Sequence, residues 1–300
     1  MQATINGIKM AFDDIGRGPA VILLHGFPFN RQMWGPQVTT LAENGFRVIA
    51  PDLRGFGESE TGDKPFSIRT FADDVNRLMK YLGIGRAVLV GMSLGGEVVL
   101  ELLRRHPRKV VATSILSPVM PPANAKEQIR YLNFAELVRE GHQQTAIDGF
   151  CQWILPSDIQ NDMVEQARQL METVDPKMLA KGMSFCAEHQ KWVERGERHA
   201  TPTLVVSGEN DPLSSPKQAK ILSRLLPIGR HYVIPEAGHL FNIEVPEDLN
   251  QYLVEFLCEV SDYKPSYLRL AADRVKSSLN FEFLLDQDEE ETEYEGTATA

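Results

Sequence analysis

The sequence predicts an α/β architecture, a mostly parallel, doubly wound sheet with a helical cap inserted between two of its strands. Three observations carry this. Short, continuous apolar runs rich in β-branched residues recur along the 300-residue chain, amphipathic helical patterns alternate with them, and one long stretch, 118–201, interrupts the alternation without offering a strand.

Taken in order, the stretch from Thr4 to Asp14 is interrupted by Asn6-Gly7 and reads as an antiparallel hairpin on the sheet edge. The runs 20–25 (AVILLH), 46–50 (FRVIA), 86–91 (RAVLVG), 110–116 (VVATSIL) and 202–208 (PTLVVSG) read as central strands, because a parallel strand covered by helices on both faces is apolar on both sides. Helical patterns lie between them at Gln32–Asn44, Ile68–Leu82, Leu94–His106 and Pro216–Leu226. Asn30 and Ser67 suit the N-caps of the first two, and Gly45 and Gly83 suit left-handed C-terminal caps. Right-handed crossovers then wind the strands into one open sheet.

The inserted stretch opens on the proline-marked linker SPVMPPANAK and continues with helical segments near Lys126–Glu140, Gln143–Ile154, Asp162–Glu172 and Pro176–Glu188. Its Phe134, Phe150, Trp153, Met171, Met178, Met183, Phe185 and Trp192 are expected mainly to pack the cap on itself and on the body, with some lining a pocket. The chain thus divides into a core of 1–117 and 202–260, a helical cap of 118–201, a C-terminal extension of 261–285 and an acidic tail of 286–300. Low complexity predicts disorder for the tail, and LRLAADRVKSSL, 268–279, reads as one weakly amphipathic helix.

Composition excludes several function classes. With 43% hydrophobic and 24% charged residues the chain reads as globular, and no apolar run approaches the 18 or so residues that span a bilayer. The formal charge is -10, of which seven negative charges lie in the last fifteen residues, so the first 285 carry only -3. No basic patch offsets this, and neither nucleic acid nor a membrane surface is expected as a partner. Three cysteines, Cys151, Cys186 and Cys258, offer no C-x-x-C and no zinc spacing. With no visible targeting segment at the start, a reduced, cytoplasmic setting is expected.

The chemistry is concentrated in loops. Gly91-Met92-Ser93-Leu94-Gly95 joins a strand directly to a helix, which is where a G-x-S-x-G forms a nucleophile elbow with the serine at the helix N-terminus. A serine hydroxyl needs a base that is itself oriented by a third group. His239, in Pro235-Glu236-Ala237-Gly238-His239, follows the last strand HYVI and falls at the same carboxyl edge. The strand PTLVVSG is followed by Glu209-Asn210-Asp211-Pro212, and Asp211 is the expected acid, with Glu209 the nearest competitor and Glu236 a weaker one. The loop after VVATSIL reads Ser117-Pro118 and offers no carboxylate. The order Ser93, Asp211, His239 completes a triad.

With these residues in hand, the chain resembles the α/β-hydrolase superfamily. His25-Gly26-Phe27-Pro28 is similar to its H-G-x-P oxyanion motif, Asp52-Leu53-Arg54-Gly55-Phe56-Gly57-Glu58-Ser59 to its D-x-R-G-x-G-x-S turn, and Ala237-Gly238-His239 to its histidine loop. The resemblance implies an oxyanion hole from the backbone N–H groups of Phe27 and Leu94, a structural role for His25, and neither metal nor organic cofactor. It points most to the branch with 3-oxoadipate enol-lactonases, esterases and cofactor-free haloperoxidases. Haloalkane dehalogenases and epoxide hydrolases place an aspartate where this chain has Ser93. The expected function is hydrolysis of a small-molecule carboxylic ester or lactone through an acyl-enzyme. Its rivals are a serine-dependent C–C hydrolase of a vinylogous diketone, a haloperoxidase-like perhydrolase side activity, and a non-catalytic ligand-binding member.

Overall fold

The computed structural model describes residues 1–119, 125–156, 159, 161–188 and 200–261. Trp192, the 268–279 segment and the acidic tail lie outside the described residues, so the expectations placed on them are not addressed.

The hairpin forms from β1 (Gln2–Ile5) and β2 (Ile8–Gly16), joined by Asn6 and Gly7 at φ of 50° and 86°. Two successive positive φ values are the geometry that lets a two-residue turn follow the strand twist. Then come β3 (Ala20–Leu24), α1 (Gly35–Glu43), β4 (Arg47–Pro51), α2 (Ile68–Tyr81), β5 (Ala87–Met92), α3 (Leu94–Arg105) and β6 (Val110–Leu116). The inserted helices are α4 (Ala125–Arg139), α5 (Gln143–Ile154), α6 (Asn161–Glu172) and α7 (Pro176–Glu188). The chain re-enters the sheet with β7 (Thr203–Gly208), α8 (Pro216–Leu225) and β8 (Gly229–Ile234), then adds α9 (Phe241–Glu244) and α10 (Pro246–Val260).

The strand order is β1-β2-β4-β3-β5-β6-β7-β8, with the β1–β2 and β2–β4 pairs antiparallel and every pair from β4–β3 onward parallel. Every residue of β5 and β7 is buried, as the continuous apolar runs require when helices cover both faces. The helices pack as pairs, α1 with α10 and α2 with α3. In α2 the buried residues Phe71, Val75, Leu78 and Met79 recur at helical spacing, and each such side chain contributes about 1.5–3 kcal/mol. The Ser67 hydroxyl caps its first turn by accepting from the Thr70 amide at 3.1 Å. Among the described residues no helix is long and apolar enough to cross a membrane.

One helix starts later than expected. Instead of a single helix from Gln32, Arg31–Trp34 forms a 3-10 turn capped by Asn30, whose side chain accepts from the Gln32 amide at 2.9 Å, and α1 begins at Gly35. Pro36 is the physical reason: without an N–H it belongs in the first turn of a helix, not its interior.

Within the insertion, α4 packs on α7 and α5, and α5 on α6. Tyr131, Phe134, Phe150 and Trp153 form one aromatic cluster with ring centroids 5.0 to 6.2 Å apart. Phe150, Met171, Met178 and Met183 are buried, whereas Phe134, Trp153 and Phe185 are half-buried. Phe150 also meets Phe27 edge-on at 6.4 Å, so the inserted helices touch the loop after β3 directly.

Candidate active site

Ser93 follows β5 and is the N-cap of α3, at φ 52° and ψ -117°. A non-glycine residue there is strained, and the surroundings over-determine it. A Cβ on Gly91 would strike the Gly95 carbonyl, and one on Gly95 would strike the Leu24 carbonyl, so only glycines permit the turn to close against β3. Ser93 donates its own amide to the Leu116 carbonyl at 2.9 Å, and its carbonyl accepts from the Gly96 amide at 2.9 Å. Ser93 thereby sits at a helix N-terminus, whose dipole favours negative charge.

Because β5 to β8 are parallel, their carboxyl ends lie in a row, and backbone bonds step across it. Ser117 donates its amide to Val206 O at 2.9 Å, and Glu209 to Ile234 O at 2.9 Å. Ser117, held at φ 45°, also donates its hydroxyl to the His239 carbonyl at 3.0 Å. The end of β6 therefore carries both the Ser93 amide and the His239 carbonyl on two consecutive residues.

Asp211 and His239 are brought together. Both carboxylate oxygens reach His239 Nδ1, at 3.0 and 2.9 Å, and both residues are buried. A carboxylate only accepts, so Nδ1 carries the proton and Nε2 is left as an acceptor. Asp211 Oδ1 also accepts from the amides of Leu213 at 2.8 Å and Ser214 at 2.9 Å, which fixes the carboxylate from its own loop. The competitors lie elsewhere. Glu209 is exposed and accepts from the Glu236 amide at 3.0 Å, while Glu236 is exposed at φ 59°.

The loop after β3 is braced as expected for a structural His25. Fully buried, its Nε2 accepts from the Leu53 amide at 2.9 Å, and burial lowers its pKa. Phe27 precedes Pro28 across a cis peptide, and its ring lies 5.9 Å from Phe56. The 52–59 turn is a framework. Asp52 accepts from the amides of Arg31 at 2.7 Å and Glu58 at 2.9 Å and pairs with the Arg31 guanidinium. Arg54 forks onto Asp74 of α2 at 2.8 and 2.7 Å, both side chains being buried.

A model of the alpha/beta hydrolase fold family matches residues 19–246. The chain belongs to the α/β-hydrolase fold family. It is 30% identical to a thermophilic esterase from Thermogutta terrifontis, covering 87% of this chain and 98% of that one, with a TM-score of 0.76. A putative non-heme chloroperoxidase from Synechocystis is 29% identical over 83% of this chain and 95% of its own length. The fold is shared with the enol-lactonase from Burkholderia xenovorans LB400, at 23% identity and a TM-score of 0.76 over 86% of this chain and 99% of that one. The chain spans about half the length of the curated bifunctional epoxide hydrolase 2 of Sus scrofa, 53%, at 27% identity. The expectations of this superfamily and of its fold stand on these matches.

Three groups at this α/β-hydrolase site escaped the sequence reading: the Ser117 hydroxyl, the Ile154 carbonyl at the end of α5, which accepts from the His239 amide at 3.3 Å, and Glu244. Only Glu244 left a signal, the first carboxylate in the mostly apolar stretch after His239. Among the described residues no group of three or more His, Cys, Asp and Glu side chains is arranged to hold a metal ion.

Proposed function

We propose that this chain hydrolyses small carboxylic esters or lactones through an acyl-enzyme, with Ser93 as nucleophile, His239 as base and Asp211 as its orienting acid. The observation that carries the reading is the Asp211–His239 pair, with Nε2 left as an acceptor on the same row of strand ends as the strained Ser93. His239 Nε2 takes the Ser93 proton as Oγ attacks the carbonyl carbon, and the amides of Phe27 and Leu94 hold the oxyanion. The tetrahedral adduct collapses, His239 protonates the leaving oxygen, and water, deprotonated by the same nitrogen, then releases the acid. Removing one oxyanion donor typically costs on the order of 100-fold or more in rate. Every group in this cycle comes from the chain and water, so no metal or organic cofactor is called upon, and the expected setting is the cytoplasm.

The similarity to an esterase supports the ester reading, and the shared fold with an enol-lactonase is compatible with lactones. Epoxide chemistry does not carry over, since the family resemblance gives epoxide hydrolases an aspartate where the elbow of this chain holds Ser93. Turnover of p-nitrophenyl esters of increasing acyl length, beside a lactone panel, a vinylogous diketone and peroxide with a carboxylic acid, tests the assignment. Ester or lactone turnover well above the others supports it. Preferential diketone cleavage would make the chain a C–C hydrolase, dominant peracid formation a perhydrolase, and binding without turnover a ligand-binding member.

A further inference from the structure

Four backbone bonds converge on the loop that carries His239. Gly238 donates its amide to Glu244 Oε2 at 2.7 Å, and Leu240 donates its amide to Glu244 Oε1 at 2.8 Å. Between them the His239 amide donates to the Ile154 carbonyl, and the His239 carbonyl accepts from Ser117. A loop at a strand end has no ladder to satisfy its amides, and buried amides must find partners. Here one carboxylate supplies two of them.

We propose that Glu244 is a positioning residue for His239: its two oxygens clamp the amides on either side of the histidine and so hold the imidazole against Asp211. This rests on the triad reading above. A single acceptor would leave the loop free to pivot about one bond, whereas a fork gripping residues 238 and 240 fixes the orientation of the peptide planes that flank residue 239. The clamp is partly desolvated. Burial pushes the Glu244 carboxyl above the usual carboxylate range, the two amides and His239 pull it down, and Asp211 pushes it up. His239 and Asp211 are thus the charged groups that face it. Glu244 sits in α9, a single helical turn that begins at Phe241, so the clamp and the catalytic histidine belong to one short stretch of chain. Space around the loop is also tight, because a Cβ on Gly238 would fall 2.6 Å from Pro156, just after α5. The carboxylate grips the loop from α9 while the end of α5 closes on it from the inserted helices.

The anionic clamp has a second consequence. A carboxylate beside the imidazole favours its protonated form, so removing the charge should lower the pKa of His239. That separates positioning from simple support of the fold, because a support role alone would leave the titration where it was.

The test compares the parent with Glu244→Gln and Glu244→Ala, using the best p-nitrophenyl ester of the panel above across about pH 5 to 9. Glutamine keeps the size and one acceptor oxygen but loses the charge and the second acceptor. Its kcat is expected to fall about tenfold and that of alanine about 100-fold, with KM within about twofold of the parent, as small misplacements of a reacting group do. The acid limb of the Glu244→Gln profile should move to lower pH. A second readout needs no turnover: NMR titration of His239 in a Ser93→Ala background should show the imidazole titrating at lower pH when Glu244→Gln is added. The proposal is overturned if kcat stays within about twofold of the parent. It is equally overturned if kcat falls with the melting temperature while the acid limb and the His239 titration stay put. A Ser93→Ala protein as active as the parent would sink the triad reading instead, and the NMR titration would still decide whether Glu244 holds His239.

Discussion

Asp211 meets His239 through both carboxylate oxygens, 3.0 and 2.9 Å from Nδ1, whereas Glu209, two residues earlier on the same loop, turns its carboxylate to the Glu236 amide. The two acids are close in sequence and differ entirely in what they hold.

Asp211→Asn should therefore be the damaging change. The amide keeps the shape of the carboxylate but presents an N–H where the imidazole needs an acceptor, which favours the wrong histidine tautomer, and such a change costs on the order of 10,000-fold in kcat in a serine protease. Glu209→Gln loses only an exposed turn contact and should stay within about threefold, because surface polar contacts are weak. Parallel kcat measurements decide the ranking, and the reverse order would transfer the acid role to Glu209.

Gly182 of α7 should not tolerate a methyl group. A Cβ there would overlap the ring of Phe27, which is buried and already meets Phe56 and Phe150 edge-on. Alanine improves helix propensity by about 1 kcal/mol, but overpacking costs about 1–3 kcal/mol, so Gly182→Ala should lower the melting temperature slightly and lower kcat by displacing the Phe27 amide. At Gly149 the added Cβ would fall 2.8 Å from the Phe134 ring, a milder approach than at Gly182 and toward a half-buried rather than a buried side chain. Gly149→Ala should be neutral or stabilising. Thermal melts beside ester kinetics on both variants check this, and a loss at Gly149 larger than at Gly182 would contradict it.

Much of the fold is legible because the strands are covered on both faces. A run such as RAVLVG needs no partner information to be read as a buried parallel strand, and Ser93 stands out because its glycines bracket a strand-to-helix junction. What stayed hidden depends on contacts between distant residues. Nothing local to Ser117 announces a bond to His239, and nothing in the end of α5 announces that the Ile154 carbonyl will reach it. The helix α10 went unread, as did the buried fork of Arg54 on Asp74, since a charged residue in an amphipathic pattern looks solvent-facing until its partner is known. The proline that delays α1 is visible in the sequence, although the helical pattern already begins at Gln32.

Acid should destabilise the protein through its histidines. Burial lowers the pKa of His25, His106 and His231 below the ordinary value of 6.5, helped by Arg105 and Lys109 at His106 and by Lys220 at His231. Each binds a proton more readily unfolded than folded, so their contribution is full above 6.5 and is lost as pH falls through the folded values. The melting temperature should decline between about pH 7 and 5, and His25→Gln, less stable at neutral pH, should decline less steeply. A parent melting temperature that is flat or rising as pH falls through that window would contradict the assignment.

The central claim is that Ser93 is the nucleophile, and labelling by a fluorophosphonate tests it most directly, because the reagent reports acyl-type attack without requiring the natural substrate. The parent should label stoichiometrically at a single residue, identified by peptide mass as Ser93, with ester turnover lost in step. Ser93→Ala should neither label nor turn over while melting at or above the parent temperature, since alanine removes the reactive oxygen and adds no bulk to the strained turn. A Ser93→Ala protein that labels and hydrolyses esters at the parent rate would place the nucleophile elsewhere and contradict the account.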